Sequence, residues 1–301
     1  MNNAKKYIME IIKRNGYGSN FNILYYDINN SIIIKKTINK YGIDKLKNEM
    51  NFYNFIKNNN INFNIPIIYK YENDIITMNY IEQNKLIDVD YFNIIITNLN
   101  NLHNHDNIIV DKDYYKKILI EETIIKMKER FIIIKDIIDT YYDKILFVNN
   151  IKLLNFDIII EKINNYLDIY VDNLNEEYKL QPIHGDPQYN NIIFHNYDIT
   201  FIDPKGYFGS SQIYGIKEYD IAKLLFSLSG YEIFDNMIFD ELIINNNNLN
   251  IDFINIPNFD SQIVKYLFIT IWLSNAHIFI KEPYKVIYSF FIGLYFASVL
   301  L

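Results

Sequence analysis

Glycine and proline are distributed unevenly along this 301-residue chain. The sequence has 9 glycines and 6 prolines, and six of these fifteen residues lie between Pro182 and Gly209, whereas residues 106–175 contain neither. Both residue types interrupt helices, and glycine also permits tight turns. The distribution therefore predicts long helices in the middle of the chain, followed by one segment that is rich in loops.

The first 81 residues have the pattern of a small mixed α and β unit, because β-rich runs separated by polar turns surround one stretch of helical apolar spacing. We expect, in chain order, a helix at 4–13, strands at 21–26 and 31–37, a helix at 43–57, and strands at 67–71 and 75–80. The remaining residues are mainly helical in pattern. We expect their principal helices near 91–103, 113–131, 156–174, 219–229 and 286–301.

These patterns predict an α+β fold with two domains. Residues 1–81 form a small N-terminal lobe with an antiparallel sheet and one helix, and residues 82–301 form a larger, mainly helical lobe. The apolar run at 286–301 is shorter than the roughly 20 residues that span a bilayer. We therefore expect a buried terminal helix and no membrane span. The N-terminus lacks a secretory pattern, so we expect a cytoplasmic protein.

Composition excludes several kinds of chemistry. The chain has no cysteine, which rules out a thiolate nucleophile, a cysteine zinc site and an iron–sulfur cluster. Its net charge of −7 disfavours a nucleic-acid partner, because nucleic-acid affinity depends on clustered Lys and Arg. Any metal must then be held by oxygen or imidazole ligands, and small nucleotides remain compatible with this composition.

Polar side chains lie at both ends of a predicted β-hairpin within the loop-rich segment. Asn191 begins the first strand, Asp203 follows the second, and Asp186 lies on the preceding loop. Because the two ends of a hairpin are close together, we expect Asn191 and Asp203 to meet at one site that suits Mg²⁺, which prefers oxygen ligands. The alternative is that these residues only cap turns in a chain that contains 44 asparagines.

The same segment contains the motif H-G-D-x-x-x-x-N at 184–191, followed by Ile202-Asp203-Pro204. This pattern resembles the aminoglycoside phosphotransferase and choline kinase superfamily, which has a protein-kinase-like fold. The resemblance implies that Asp186 positions or deprotonates the hydroxyl of an acceptor, and that Asn191 and Asp203 hold Mg²⁺. It also implies that His184 organises the loop and does not act as a base.

The N-terminal unit supports this resemblance independently. The run Ile32 to Lys36 resembles the kinase strand that ends in a lysine contacting the nucleotide phosphates, and Glu49 lies where the partner glutamate of that lysine would be. Lys35 is our choice for the phosphate contact. Lys36 stays open, because neighbouring strand residues point to opposite faces and only one can enter a cleft.

Three further assignments rest on position within the resemblance. Gly18 and Ser19 lie in a loop that would contact phosphates through its backbone, although the loop lacks G-x-G-x-x-G and could be a simple turn. Met78 and Tyr80 lie where backbone groups would bind adenine. Asp220, in a segment that resembles the family's Tyr-Asp-Leu-Ala motif, would brace the catalytic loop.

The resemblance implies a phosphotransferase that uses ATP (or GTP) and Mg²⁺ to phosphorylate a small-molecule hydroxyl. Gly185 replaces the arginine of the protein-kinase motif, which disfavours protein substrates. The segment from Asp203 to Gly209 looks like that of sugar- and polysaccharide-associated members, so we expect a sugar, amino sugar or polyol. Two alternatives are a choline or ethanolamine kinase, with an aromatic cage for the ammonium group, and a nucleotide-binding pseudokinase without turnover.

Overall fold

The computed structural model describes residues 9–12, 20–174 and 177–301. The chain divides into two compact units. Unit 1 comprises Met1–Asp106 and Asn190–Gly206, and unit 2 comprises Asn107–Tyr189 and Tyr207–Leu301. The lobe boundary after residue 81 stays a prediction.

The described residues form short strands in both units. The strands are β1 Met9–Ile12, β2 Asn22–Asp27, β3 Ile32–Thr37, β4 Ile68–Glu72, β5 Ile75–Asn79, β6 Asn84–Lys85, β7 Ile108–Val110, β8 Phe147–Val148, β9 Ile151–Lys152, β10 Tyr178–Pro182, β11 Ile192–Asn196, β12 Asp198–Phe201, β13 Tyr214–Gly215, β14 Ile244–Asn245 and β15 Asn248–Leu249.

The helices expected near 91–103, 156–174 and 286–301 agree closely with those of the structure. The helices are α1 Lys40–Asn58, α2 Tyr91–His103, α3 Lys112–Ile120, α4 Lys126–Asp139, α5 Phe156–Asp172, α6 Lys217–Phe226, α7 Glu232–Asn236, α8 Gln262–Asn275 and α9 Pro283–Leu300.

Unit 1 is built on a five-stranded antiparallel sheet in the order β1-β2-β3-β5-β4. The β2–β3 hairpin turns at Asp27, whose carboxylate accepts the N–H groups of Asn29 and Asn30. Helix α1 begins at the N-cap Asn39, whose side chain accepts the Gly42 N–H at 2.8 Å. Such local signals explain why the predicted strands and helix of this unit, from residue 21 to residue 80, are confirmed.

The predicted helix at 4–13 is wrong where the structure describes it. Met9–Ile12 is strand β1, paired antiparallel with β2 from Met9 opposite Asp27 to Ile12 opposite Leu24. The edge of β2 offers backbone hydrogen bonds to this segment, and that pairing outweighs a weak helical spacing over so few residues. Residues 4–8 and 13 lie outside the described residues.

The predicted hairpin after the loop-rich segment is confirmed as β11 and β12, which pair from Ile192 opposite Phe201 to His195 opposite Asp198. The hairpin belongs to unit 1, where β6 extends it in parallel. Phe63 stacks on Phe201 with ring centroids 4.5 Å apart. The hairpin is therefore anchored to the same unit as the five-stranded sheet.

Unit 2 packs its helices around one large apolar core. Trp272 on α8 is fully buried, and its Nε1–H donates to Ser229 Oγ at 3.0 Å, as expected for a core tryptophan. The helix predicted at 113–131 is α3 and α4, joined by a π-helical turn at Glu121–Ile125 that the spacing did not reveal. After α6 the chain kinks at Gly230, which has a φ of 114°, before α7 begins.

Helix α9 confirms the buried terminal helix. Among the described residues it is the one helix whose length and mean hydropathy, 1.3 over 18 residues, would allow it to cross a membrane. In the structure 67% of it is buried, and it packs on α8 and α4 within unit 2. A helix that is apolar on all sides and largely covered by its own domain has the burial of a core helix.

Candidate active site

A buried cluster of three charged side chains lies in unit 1. The Nζ of Lys35 is 2.6 Å from Glu49 Oε2 and 2.6 Å from Asp203 Oδ1. Strand β3 supplies the lysine, helix α1 supplies the glutamate, and the end of the β11–β12 hairpin supplies the aspartate. The Lys35 side chain is 4% exposed and that of Asp203 is 28% exposed. The cluster is thus closed around the lysine and open at Asp203.

Electrostatics keep this lysine protonated. Burial acts against the charge of Lys35, but the Asp203 and Glu49 carboxylates outweigh it and raise the pKa of the lysine. Burial raises the pKa of Glu49, and the Lys35 ammonium opposes that change. The Tyr53 hydroxyl donates to the second Glu49 oxygen at 3.1 Å, so Glu49 is held from two sides.

The two candidate lysines of β3 are distinguished by burial. Lys35 points into the cluster with Glu49 and Asp203, whereas Lys36 is exposed on the opposite face of the strand. This is the alternation that a β-strand imposes on neighbouring residues. Of the two, Lys35 is therefore the one whose charge is enclosed with the candidate site residues.

The loop after β12 reaches this cluster by an unusual backbone path. Asp203 has a positive φ of 54° and Gly206 a φ of 70°. A Cβ at Gly206 would lie 2.3 Å from the carbonyl oxygen of Asn48 on α1. Only glycine allows both the backbone conformation and this close approach. The loop that carries Asp203 thus packs directly on the helix that carries Glu49.

The residues near Asp203 fit a magnesium ion in their chemistry. Asn191 is buried at the start of the same hairpin, and its carbonyl accepts the Ile202 N–H at 2.9 Å. Lys35, Glu49 and Asp203 together carry one more negative than positive charge when ionised. The described residues contain no group of three or more His, Asp or Glu side chains that could hold a metal by themselves. Mg²⁺ typically takes one or two protein carboxylates together with phosphate and water oxygens, which is the donor set that Asp203 and Asn191 would complete.

Asp186 and the first part of its loop belong to unit 2. The Asp220 carboxylate, at the N-terminal end of α6, accepts the His184 N–H at 2.9 Å and the Gly185 N–H at 2.7 Å. His184 is fully buried, and its Nδ1 accepts the Asp186 N–H at 3.3 Å. Asp220 and His184 therefore shape the loop that presents Asp186, which matches the bracing roles expected from the sequence.

One charged neighbour of Asp186 was missed by the sequence reasoning. Lys223 Nζ lies 2.9 Å from Asp186 Oδ1 within unit 2. Lys223 is three residues after Asp220 on α6, and residues with that spacing share a helix face. The helical spacing from Asp220 was the signal that could have identified Lys223. In a sequence with many lysines, however, this spacing alone does not distinguish Lys223 from the others.

The remaining predicted contacts concern the nucleotide. Gly18 and Ser19 lie outside the described residues. Met78 is a buried residue of β5 between β3 and β4, opposite Ile33 and Ile68. The Tyr80 N–H donates to the Ser31 carbonyl at 2.8 Å. A backbone contact from Tyr80 to a base would therefore use its carbonyl oxygen.

No protein-family model matches the sequence, and no curated protein matches it. Solved structures do match. A Haemophilus somnus 129PT protein assigned as a fructosamine-3-kinase aligns with a TM-score of 0.53 at 12% identity, over 98% of this chain and 92% of that one. A Plasmodium vivax ethanolamine kinase aligns with a TM-score of 0.50 at 17% identity, over 98% of this chain and 82% of that one.

A third structure, APH(2'')-IIia in complex with GDP and kanamycin, aligns with a TM-score of 0.53 at 14% identity, over 97% of this chain and 93% of that one. At such identities the agreement concerns the backbone path, which extends over almost the whole chain. Together with the antiparallel sheet of unit 1 and the helical unit 2, it shows that this chain has the fold of these small-molecule kinase structures.

Proposed function

We propose that this protein is a small-molecule kinase that uses ATP or GTP and Mg²⁺ to phosphorylate a hydroxyl group of a sugar, amino sugar or polyol. The observation that carries the proposal is the buried contact of Lys35 with both Glu49 and Asp203. Burial of these three charged groups away from water costs free energy. A phosphoryl-transfer reaction explains why the charges are kept, because the lysine ammonium can contact nucleotide phosphates.

In this proposal unit 1 binds the nucleotide. Lys35, oriented by Glu49, contacts the phosphates, and the backbone at Gly18 and Ser19 covers them. Backbone groups at Met78 and Tyr80 contact the base. Asn191 and Asp203 hold Mg²⁺, which when bound neutralises charge on the phosphate oxygens.

Unit 2 supplies the group that acts on the acceptor. Asp186 accepts the proton of the acceptor hydroxyl as the oxygen attacks the γ-phosphorus. One P–O bond forms to the acceptor, and the bond between the γ-phosphorus and the bridging oxygen breaks, with its electron pair leaving on the nucleoside diphosphate.

The comparisons support the reaction class but not the acceptor. The Plasmodium vivax neighbour is an ethanolamine kinase, and APH(2'')-IIia binds GDP and kanamycin. These names favour transfer to an alcohol group, with choline or ethanolamine as a second candidate acceptor. The presence of Lys35, Asp186, Asn191 and Asp203 together argues against a pseudokinase, and a cytoplasmic location without a nucleic-acid partner fits a metabolic kinase.

The test is a screen for nucleoside diphosphate release with Mg²⁺ and ATP or GTP, against sugars, amino sugars, polyols, choline and ethanolamine, with mass spectrometry of the product. Loss of general-base catalysis should lower kcat of Asp186→Asn by at least about 100-fold while nucleotide affinity is kept. Asp203→Ala should instead weaken binding of magnesium nucleotide. Asp252→Asn, at an exposed position, is the control.

Three outcomes would contradict the proposal. The first is a protein that binds nucleotide but transfers phosphate to no acceptor and not to water, which would favour a pseudokinase. The second is an Asp186→Asn variant with wild-type turnover. The third is an Asp203→Ala variant that binds magnesium nucleotide as tightly as the Asp252→Asn control does.

A further inference from the structure

The ammonium group of Lys223 is held against the candidate catalytic carboxylate. Its Nζ lies 2.9 Å from Asp186 Oδ1, and its side chain is 16% exposed. The Nζ also lies 5.4 Å from the centroid of the Phe226 ring, one turn further along α6. The lysine is thus directed along α6 towards the loop that carries Asp186, and both residues belong to unit 2.

The backbone of this loop is held by groups other than Lys223. Asp220 is fully buried and accepts two backbone N–H groups of the loop, from His184 and Gly185. Tyr189, three residues after Asp186, donates its N–H to Ser227 Oγ at 2.8 Å. These contacts hold the backbone of the loop without Lys223. A purely structural role therefore leaves the position of the Lys223 charge unexplained.

A cation beside a general base also works against proton uptake by that base. Such a cation is useful in catalysis only when it stabilises negative charge elsewhere in the transition state. In phosphoryl transfer that charge spreads over the oxygens of the transferred group. The placement of Lys223 beside Asp186 is consistent with this second task.

We propose that Lys223 is a further catalytic residue, which pairs with Asp186 in the absence of ligands and donates a hydrogen bond to the transferred phosphoryl group during the reaction. This inference rests on the proposed kinase function. The attacking oxygen must lie about 3 Å from the Asp186 carboxylate, and the phosphorus about 3 to 3.5 Å beyond that oxygen. The flexible side chain of a lysine can cover such a distance by changing rotamer.

The reaction balances with Lys223 protonated throughout. The acceptor hydroxyl gives its proton to Asp186, the acceptor oxygen forms the new bond to phosphorus, and the nucleoside diphosphate leaves with the electron pair of the broken bond. Lys223 neither takes up nor releases a proton. It contributes a charge-assisted hydrogen bond that becomes stronger as charge develops on the phosphoryl oxygens.

Binding of a transition-state mimic tests the contact directly. The affinity for ADP with Mg²⁺ is measured with and without aluminium fluoride, which occupies the place of the transferred phosphoryl. In the wild-type protein aluminium fluoride should tighten binding at least about tenfold. Lys223→Met and Lys223→Gln should lose most of this gain while the affinity for ADP alone stays within about twofold, and Lys223→Arg should keep part of it.

Two controls accompany these variants. Lys217→Met removes an exposed lysine from the first turn of the same helix and should keep the full gain. The fluorescence of the buried Trp272, which lies in unit 2, verifies that this unit is folded in each variant. With an acceptor identified, Lys223→Met should lower kcat by at least about tenfold at an unchanged KM for the nucleotide.

The outcomes separate the two proposals. A wild-type protein that binds ADP but gains nothing from aluminium fluoride would overturn the kinase function and this inference with it. A wild-type gain that both neutral Lys223 variants retain in full would overturn the role of Lys223 and leave the kinase function standing. Loss of the gain in Lys217→Met to the same extent would also overturn it, since the effect would not be specific to the lysine beside Asp186.

Discussion

Replacement of Lys35 by methionine should show how much the buried ammonium group of Lys35 contributes to the stability of unit 1. Methionine is similar in length to lysine and fills the space of its apolar stem, so the main change is the loss of the ammonium group. Glu49 Oε2 and Asp203 Oδ1 each lie 2.6 Å from the Lys35 nitrogen, so these two oxygens are at most twice that distance, 5.2 Å, apart. The variant leaves two carboxylates facing each other.

The cost of this arrangement can be worked from the distance. With an effective dielectric constant of about 20, two unit charges some 5 Å apart repel by roughly 3 kcal/mol. Removal of one partner from a buried ion pair costs about 3 to 5 kcal/mol in general. We therefore expect Lys35→Met to lower the free energy of unfolding by about 3 to 5 kcal/mol near pH 8, a large part of the total of a typical domain.

The loss should depend on pH in a defined direction. Burial already raises the pKa of Glu49, and removal of the neighbouring ammonium raises it further. A carboxyl whose pKa is raised in the folded state contributes stability below its unfolded pKa and loses it as the pH rises through the folded value. The difference between wild type and variant should therefore shrink as the pH falls from about 8 towards 5.

Urea titrations followed by circular dichroism at several pH values measure both effects. Lys36→Met is the matched control, because Lys36 is the next residue of the same strand and is exposed. It should change the free energy of unfolding by less than about 0.5 kcal/mol. A Lys35→Met protein that is as stable as Lys36→Met at pH 8, or whose deficit does not change with pH, would refute the reasoning.

Two more predictions concern unit 2. Burial and the nearby Arg130 lower the pKa of His277 to about 3. Because the pKa of this histidine in the unfolded chain is about 6.5, the free energy of unfolding should fall as the pH drops from about 6.5 towards 3. The expected fall, measured relative to His277→Gln, is up to about 1.4 kcal/mol per pH unit. If the free energies of unfolding of the two proteins, measured by urea titration, changed equally with pH, this prediction would be contradicted. Asp220→Ala leaves the N–H groups of His184 and Gly185 buried without their acceptor and should cost about 3 kcal/mol, measured by Trp272 fluorescence in urea; a loss below about 1 kcal/mol would show that the loop does not depend on this carboxylate.

Elements with strong local signals were predictable from the sequence. The β2–β3 hairpin has a polar turn in which Asp27 caps two backbone N–H groups, and α1 has an N-cap and a continuous apolar face. The β11–β12 hairpin likewise followed from two apolar runs around a polar turn. In each case the information lies within about twenty neighbouring residues, so periodicity and turn chemistry are sufficient.

Elements that depend on distant partners were not predictable in this way. Met9–Ile12 is a strand because it pairs with the edge of β2, and no local sequence pattern predicts such a pairing. The π-helical turn at Glu121–Ile125 is also invisible to apolar spacing. Its Glu122 is buried, with Tyr219 of α6 donating to it at 2.7 Å. Such a contact across nearly a hundred residues exists only in the folded chain.

The sequence by itself determined the types and spacing of the candidate site residues, since the motif from His184 to Asn191 and the aspartate at 203 are readable without coordinates. It left two lysines open on β3 and gave Lys223 no role. Only the tertiary structure decided that Lys35 is enclosed with Glu49 and Asp203, and that Lys223 lies beside Asp186. The physical reason is that burial and ion pairing depend on which distant side chains meet, whereas spacing constrains only neighbours along the chain.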